Sequence, residues 1–124
     1  MSELGNIRIA DDVVKSIAAR AASEIAGVYK LAGGVVDEVG KILGKKSLTN
    51  GVKVEVGEKE CNIEVFLIID YGYRIPEVAK NVQKKIIDVV SELTGLTVVD
   101  VNIYVQNIRI EREEAEEQDE EIVY

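Results

Sequence analysis

Val52-Lys53-Val54-Glu55-Val56-Gly57-Glu58-Lys59-Glu60-Cys61-Asn62-Ile63-Glu64-Val65-Phe66-Leu67-Ile68-Ile69-Asp70 decides how the chain is read. Apolar and charged residues alternate over 52–56 and resume alternating from Cys61, the period-2 signature of half-buried strands. Gly57-Glu58-Lys59-Glu60 between them is a polar turn, so the stretch is a hairpin. From Val65 onward Phe66 and Ile68 make the second strand apolar on both faces, which predicts a central or covered position there.

Outward from the hairpin, the period changes. Val78, Val82, Ile86, Val89, Val90 and Leu93 recur at helical spacing, with Pro76 at the start and Gly95 at the end. Proline is tolerated in a first turn, and glycine favours a helix stop. Val14, Ile17, Ala18, Ala21, Ile25 and Val28 give a second helix over about 11–26, with Asp11 or Asp12 available as cap and dipole partner. Ile7-Arg8-Ile9 reads as a short first strand. Val99, Val101, Ile103 and Val105 define a last strand, whose parity breaks at Ile108, predicting a bulge near Asn107.

Residues 28–50 form a Gly-rich linker in which 35–43 is readable as a short helix or as loop. The expected order is βαββαβ: an α+β fold with two helices packed on one face of a mixed, mainly antiparallel sheet of about four strands, on a ferredoxin-like path. One domain over 1–110 is expected to be followed by a tail, 111–124.

The 124-residue chain carries a formal charge of −8. Eight acids and one base lie between Glu111 and Glu121, leaving fifteen acids and fourteen bases in residues 1–110. The acidity therefore belongs to the tail, as a solubilising spacer or a contact for a basic partner. No window is long and apolar enough to span a bilayer, and the start has no secretory pattern, so a cytoplasmic location is expected. The single Cys61 suits a reducing compartment and reads as core filler.

Histidine is absent, which removes the commonest general base and metal ligand, and one cysteine builds no ordinary zinc site. Carboxylates alone could still bind a metal, but those of the body alternate with apolar residues as solvated strand faces do. Gly40-Lys41-Ile42-Leu43-Gly44-Lys45-Lys46-Ser47 fails as a P-loop: three residues separate its glycines, and a second lysine stands where Ser or Thr must follow the first. The expectation is no enzyme, no catalytic residue, no metal and no cofactor.

Two surfaces remain. Phe66, Ile68, Tyr71, Tyr73 and Arg74 form a candidate protein-contact surface, since Tyr and Arg are favoured at interface centres; the competing reading has both tyrosines capping the core. Lys41, Lys45, Lys46, Lys80, Lys84 and Lys85 form a candidate basic patch for nucleic acid or a phosphorylated ligand, against the ordinary reading of a solvated helix face and loop. An RNA-binding sheet of the same element order would carry several aromatics, whereas 61–69 offers only Phe66.

Taken together, Ile9-Ala10-Asp11-Asp12-Val13-Val14, Ile17-Ala18, Glu24-Ile25-Ala26-Gly27-Val28, Gly51-Val52-Lys53-Val54-Glu55-Val56, Asp70-Tyr71-Gly72-Tyr73-Arg74-Ile75-Pro76-Glu77-Val78-Ala79, Val82-Gln83, Leu93-Thr94-Gly95-Leu96 and Val99-Asp100-Val101-Asn102-Ile103-Tyr104-Val105 make the chain similar to a known family. Over about residues 4–110 it resembles the alkaline shock proteins, the general stress or envelope stress response proteins of Gram-positive bacteria. The resemblance implies an abundant, cytoplasmic, non-enzymatic protein of cell-envelope homeostasis that self-associates and is tethered at the membrane by a separate membrane-spanning partner. Pro76 and the acidic tail depart from the family pattern, and the family has no agreed catalytic residues to carry over.

Overall fold

Cys61, Ile63, Val65, Leu67 and Ile69 are all essentially inaccessible to solvent, and the rest of the molecule is arranged around that row. The structure is a computed structural model and describes residues 4–33 and 51–110. Its elements are α1 (Asp11–Ser23), β1 (Val28–Leu31), β2 (Val52–Val56), β3 (Glu60–Asp70), α2 (Ile75–Thr94) and β4 (Thr97–Arg109).

β3 is the centre of a mixed four-stranded sheet. It pairs antiparallel with β2 from Val52↔Val65 to Val56↔Cys61 and antiparallel with β1 from Val28↔Ile69 to Leu31↔Leu67. β1 and β2 thus lie end to end along one edge of β3. Phe66 bridges the junction, its N–H donating to Gly51 O and its carbonyl accepting from Ala32 N, each at 2.8 Å. A Cβ at Gly51 would come within 2.7 Å of Leu31 Cβ, so the two chain ends meet only because position 51 has no side chain. Along the other edge β4 runs parallel to β3 from Glu60↔Thr97 to Asp70↔Arg109, a pairing that needs the crossover helix α2.

Both helices cover the face that carries the odd-numbered β3 side chains. α1 contributes Val14, Ala18, Ala21 and Ala22, and α2 contributes Val78, Val82, Ile86 and Val90. The expected hairpin, both helices and the central place of β3 are as the sequence implied, and the element order matches roughly. It differs at the amino end. Residues 7–9 are not a strand: Ile7 is 90% exposed and only Ile9 packs on the core. Both edges of β3 are already taken, so three alternating residues find no ladder there.

The missing strand is β1, inside the expected linker at 28–50; residues 34–50, including the short helix considered at 35–43, lie outside the described residues. α1 also stops earlier than 26, in a turn ended by Gly27 at φ 101°. A Cβ at Gly27 would meet Val78 Cγ2 at 2.8 Å and the Tyr73 ring at 2.9 Å, so glycine is required there for conformation and for space. The N-cap of α1 is Ala10, with no side-chain cap bond, and Asp11 and Asp12 act from the first turn through the helix dipole. In β4 the expected bulge appears at Gln106, between the partners of Leu67 and Ile68. A second bulge, at Val99, turns that residue out of the expected buried row, leaving it 52% exposed.

Candidate functional site

Among the described residues, the second face of the sheet has no helix on it. Even-numbered residues of β3 point there, and the face changes character along its length. Asn62, Glu64, Glu55, Asp100 and Asn102 make one end polar, while Phe66, Ile68 and Tyr104 make the other apolar. The parallel register places Tyr104 directly beside Phe66, and the two rings stack with centroids 5.0 Å apart and planes 19° from parallel. Lys53 sits 5.6 Å from the Phe66 centroid. Because β1 and β2 part opposite Phe66, no residue with a long side chain faces it across that edge.

At the end of the face the Arg109 guanidinium lies 4.0 Å from the centroid of Tyr29, a residue carried outward by a bulge in β1. Arg109 Nε donates to Asp70 Oδ1 at 3.0 Å, and the Tyr71 N–H donates to Arg109 O at 2.9 Å. This pins the end of β4 to the start of the β3–α2 loop. Side-chain exposures of 21% and 29% keep the Arg109–Asp70 pair partly wet, so its contribution is small compared with the core.

Of the five residues expected at a contact surface, Phe66 and Ile68 lie half-buried on the open face. Tyr71, 70% exposed, and Arg74, the exposed N-cap of α2, lie on the loop at its end. Tyr73 leans toward the helix layer, its ring against Gly27 beside Val78, which is the core-rim position the competing reading expected. Tyr73 is thus on the helix side of the sheet from Phe66. Tyr104, Tyr29, Arg109 and Lys53 join Phe66 and Ile68 on the open face. Sequence alternation marked Tyr104 only as outward-facing, and its contact with Phe66 depends on a parallel register that local pattern does not encode.

The three basic-patch lysines among the described residues all lie on α2. Lys80 and Lys84 are on the solvent side of α2, and Lys85 reaches Glu24 at 3.9 Å, with Arg20 on the same carboxylate at 3.1 Å. Lys41, Lys45 and Lys46 lie outside the described residues, as does the acidic tail. Burial, helped by the neighbouring Glu60 charge, pushes the Cys61 thiol above its ordinary value. Among the described residues no three metal-ligating side chains come together, and no helix is long and apolar enough to cross a membrane. An open groove of about 1230 Å³ runs between residues 6–11, 56–59 and 94–97, with Arg8, Asp11, Glu58 and Lys59 mixing charge signs along it.

The model of the ASP23 family, described as having a cell envelope-related function, matches residues 1–110. YqhY of Bacillus subtilis is 34% identical over 98% of this chain and 90% of its own length. YloU of the same organism is 35% identical over 88% of this chain and 92% of its own. A Streptococcus pyogenes protein named stress response regulator gls24 homolog is 26% identical over 85% of this chain, which spans 59% of that protein.

Proposed function

The chain belongs to the alkaline shock protein family, and from that premise we propose that it is a non-enzymatic protein-interaction or scaffolding module of the stress response in cell-envelope homeostasis. In this reading it works in the cytoplasm, self-associates, and is held at the inner face of the cell membrane by a membrane-spanning partner. The observation that carries the reading is the open sheet face. Phe66, Ile68 and Tyr104 lie there on the side away from α1 and α2, next to Tyr29 and the Arg109 fork, and aromatic and arginine side chains of this kind anchor protein contacts.

The lysine-based alternative, binding of nucleic acid or a phosphorylated ligand, draws less support. Lys85 is engaged with Glu24, and the Phe66 and Tyr104 rings stack on each other instead of lying flat for a base. The test is affinity capture from native cells with the membrane fraction retained, comparing the natural chain with Tyr104→Ala and with Lys80→Ala/Lys84→Ala. A discrete membrane protein retained by the natural chain and the lysine variant, and lost with Tyr104→Ala, is the expected result. No protein recovered by any of them, or loss only with the lysine variant, sinks the reading.

A further inference from the structure

Among the described residues β4 pairs along one side only. Among the described residues its thirteen-residue outer edge has no strand partner, and such an edge presents a row of backbone donors and acceptors. Proteins usually blunt such an edge with lysines, prolines or short length. β4 has none of these: Thr97–Arg109 contains one acid, Asp100, one base, Arg109, and neither proline nor glycine. The opposite edge of the sheet is different, being broken at Ala32 and Gly51 and carrying Lys30, Lys53 and Glu55.

We propose that β4 pairs antiparallel with β4 of a second copy of this chain about a two-fold axis at Asn102. Residues directly opposite in an antiparallel ladder share a face, so the register must keep the parity of the strand. The bulges at Val99 and Gln106 frame a regular run, Asp100–Val105, and a two-fold at Asn102 uses five of its residues. On the open face it sets Asn102 against Asn102 of the second copy and Asp100 against Tyr104 of the second copy. Amide then meets amide, and a carboxylate meets a phenol hydroxyl. On the helix side it sets Val101 against Ile103.

A two-fold at Ile103 would bring Asp100 against the bulged Gln106 and lose that ladder position. A parallel pairing needs the two strands staggered by one residue, which a two-fold axis along the strands does not provide. Gln83 Nε2 donates to Val101 O at 2.9 Å, and a carbonyl oxygen retains a second acceptor site for the ladder. The pairing joins two four-stranded sheets into one and sets two Phe66–Tyr104 stacks on a single continuous face. It deepens the self-association within the proposed function and rests on that reading for its biological use.

Purified full-length chain carrying Asn102→Cys is oxidised mildly, with Asn81→Cys on the exposed side of α2 as control. Opposed positions in a ladder have the Cα separation a disulfide needs, and the native Cys61 is buried. The expected result is a covalent dimer from Asn102→Cys at several times the yield of the control. The natural chain should show a dimer boundary in sedimentation velocity that Asn102→Lys abolishes with an unchanged melting temperature, because two ammonium groups would face each other on the axis. A natural chain that sediments as monomer up to about millimolar, the limit of weak association, overturns the proposal. So does Asn102→Cys cross-linking no better than Asn81→Cys. A natural chain that stays monomeric but still captures the membrane protein rejects this interface alone, whereas one that dimerises but captures no partner rejects the scaffolding role.

Discussion

Phe66 and Tyr104 are neighbours on parallel strands, and their rings stack 5.0 Å apart on the sheet face opposite α1 and α2. An exposed aromatic pair of this kind contributes little to folding, about 1 kcal/mol beyond its buried area. Tyr104→Ala is therefore expected to lower stability by no more than about 1.5 kcal/mol in chemical denaturation while removing partner capture. A loss of several kcal/mol would mean that the ring belongs to the core.

Gly27 is held by two constraints at once, its φ of 101° and the Val78 and Tyr73 side chains packed where a Cβ would stand. Gly27→Ala should cost about 2–4 kcal/mol, the sum of a left-handed alanine and overpacking, read as a lower denaturation midpoint at constant m-value. Gly72 also has a positive φ, 104°, but open space around its Cβ direction. Gly72→Ala should cost only about 1–2 kcal/mol, the conformational part.

How far the sequence could be read depends on how local each feature is. The alternation of Cys61, Ile63, Val65, Leu67 and Ile69 located the core row, and the 3.6 period over Val78–Leu93 located α2, because each signal is complete within its own segment. β1 escaped because it is four residues long and completes an edge only together with β2, whose first residue is Val52. Ile7–Ile9 misled for the converse reason: the alternation was present, but in a segment where only Ile9 reaches the core. Of the candidate site, Phe66 and Ile68 were legible as a second apolar side on β3. Tyr104, Tyr29 and Arg109 depend on register and bulges between distant strands.

Cys61 is buried and its thiol is pushed above the ordinary value of 9.0. The native chain should be inert to thiol reagents at neutral pH and react only as it unfolds, measured as modification rate against denaturant. The folded state holds this proton more tightly than the unfolded one. Stability from this group is thus fully present below pH 9.0 and declines as pH rises through and beyond it. Cys61→Ala should remove that alkaline decline. A decline of the same size in the variant assigns it to other groups.

Arg109 joins Asp70 and Tyr29 at the carboxyl end of β4. A double-mutant cycle with Asp70→Asn and Arg109→Gln should give a coupling of about 0.5–1 kcal/mol, the range for a partly wet ion pair, that shrinks in high salt. A coupling above about 3 kcal/mol would place the pair in the class of buried bridges.

Leu67→Ala removes most of a fully buried side chain from the central strand. The expected loss is about 2–5 kcal/mol, a large part of the about 5–15 kcal/mol that holds a domain together. Ile68→Ala, on the open face of the same strand, should cost clearly less, and calorimetry of the two variants separates the covered face from the open one.

The backbone of Phe66 clasps Ala32 on one side and Gly51 on the other, so a single residue of β3 splices two separate pieces of chain into one edge. The two pieces therefore share one support, and a disturbance of the Phe66 backbone reaches β1 and β2 together although they are separate in the chain.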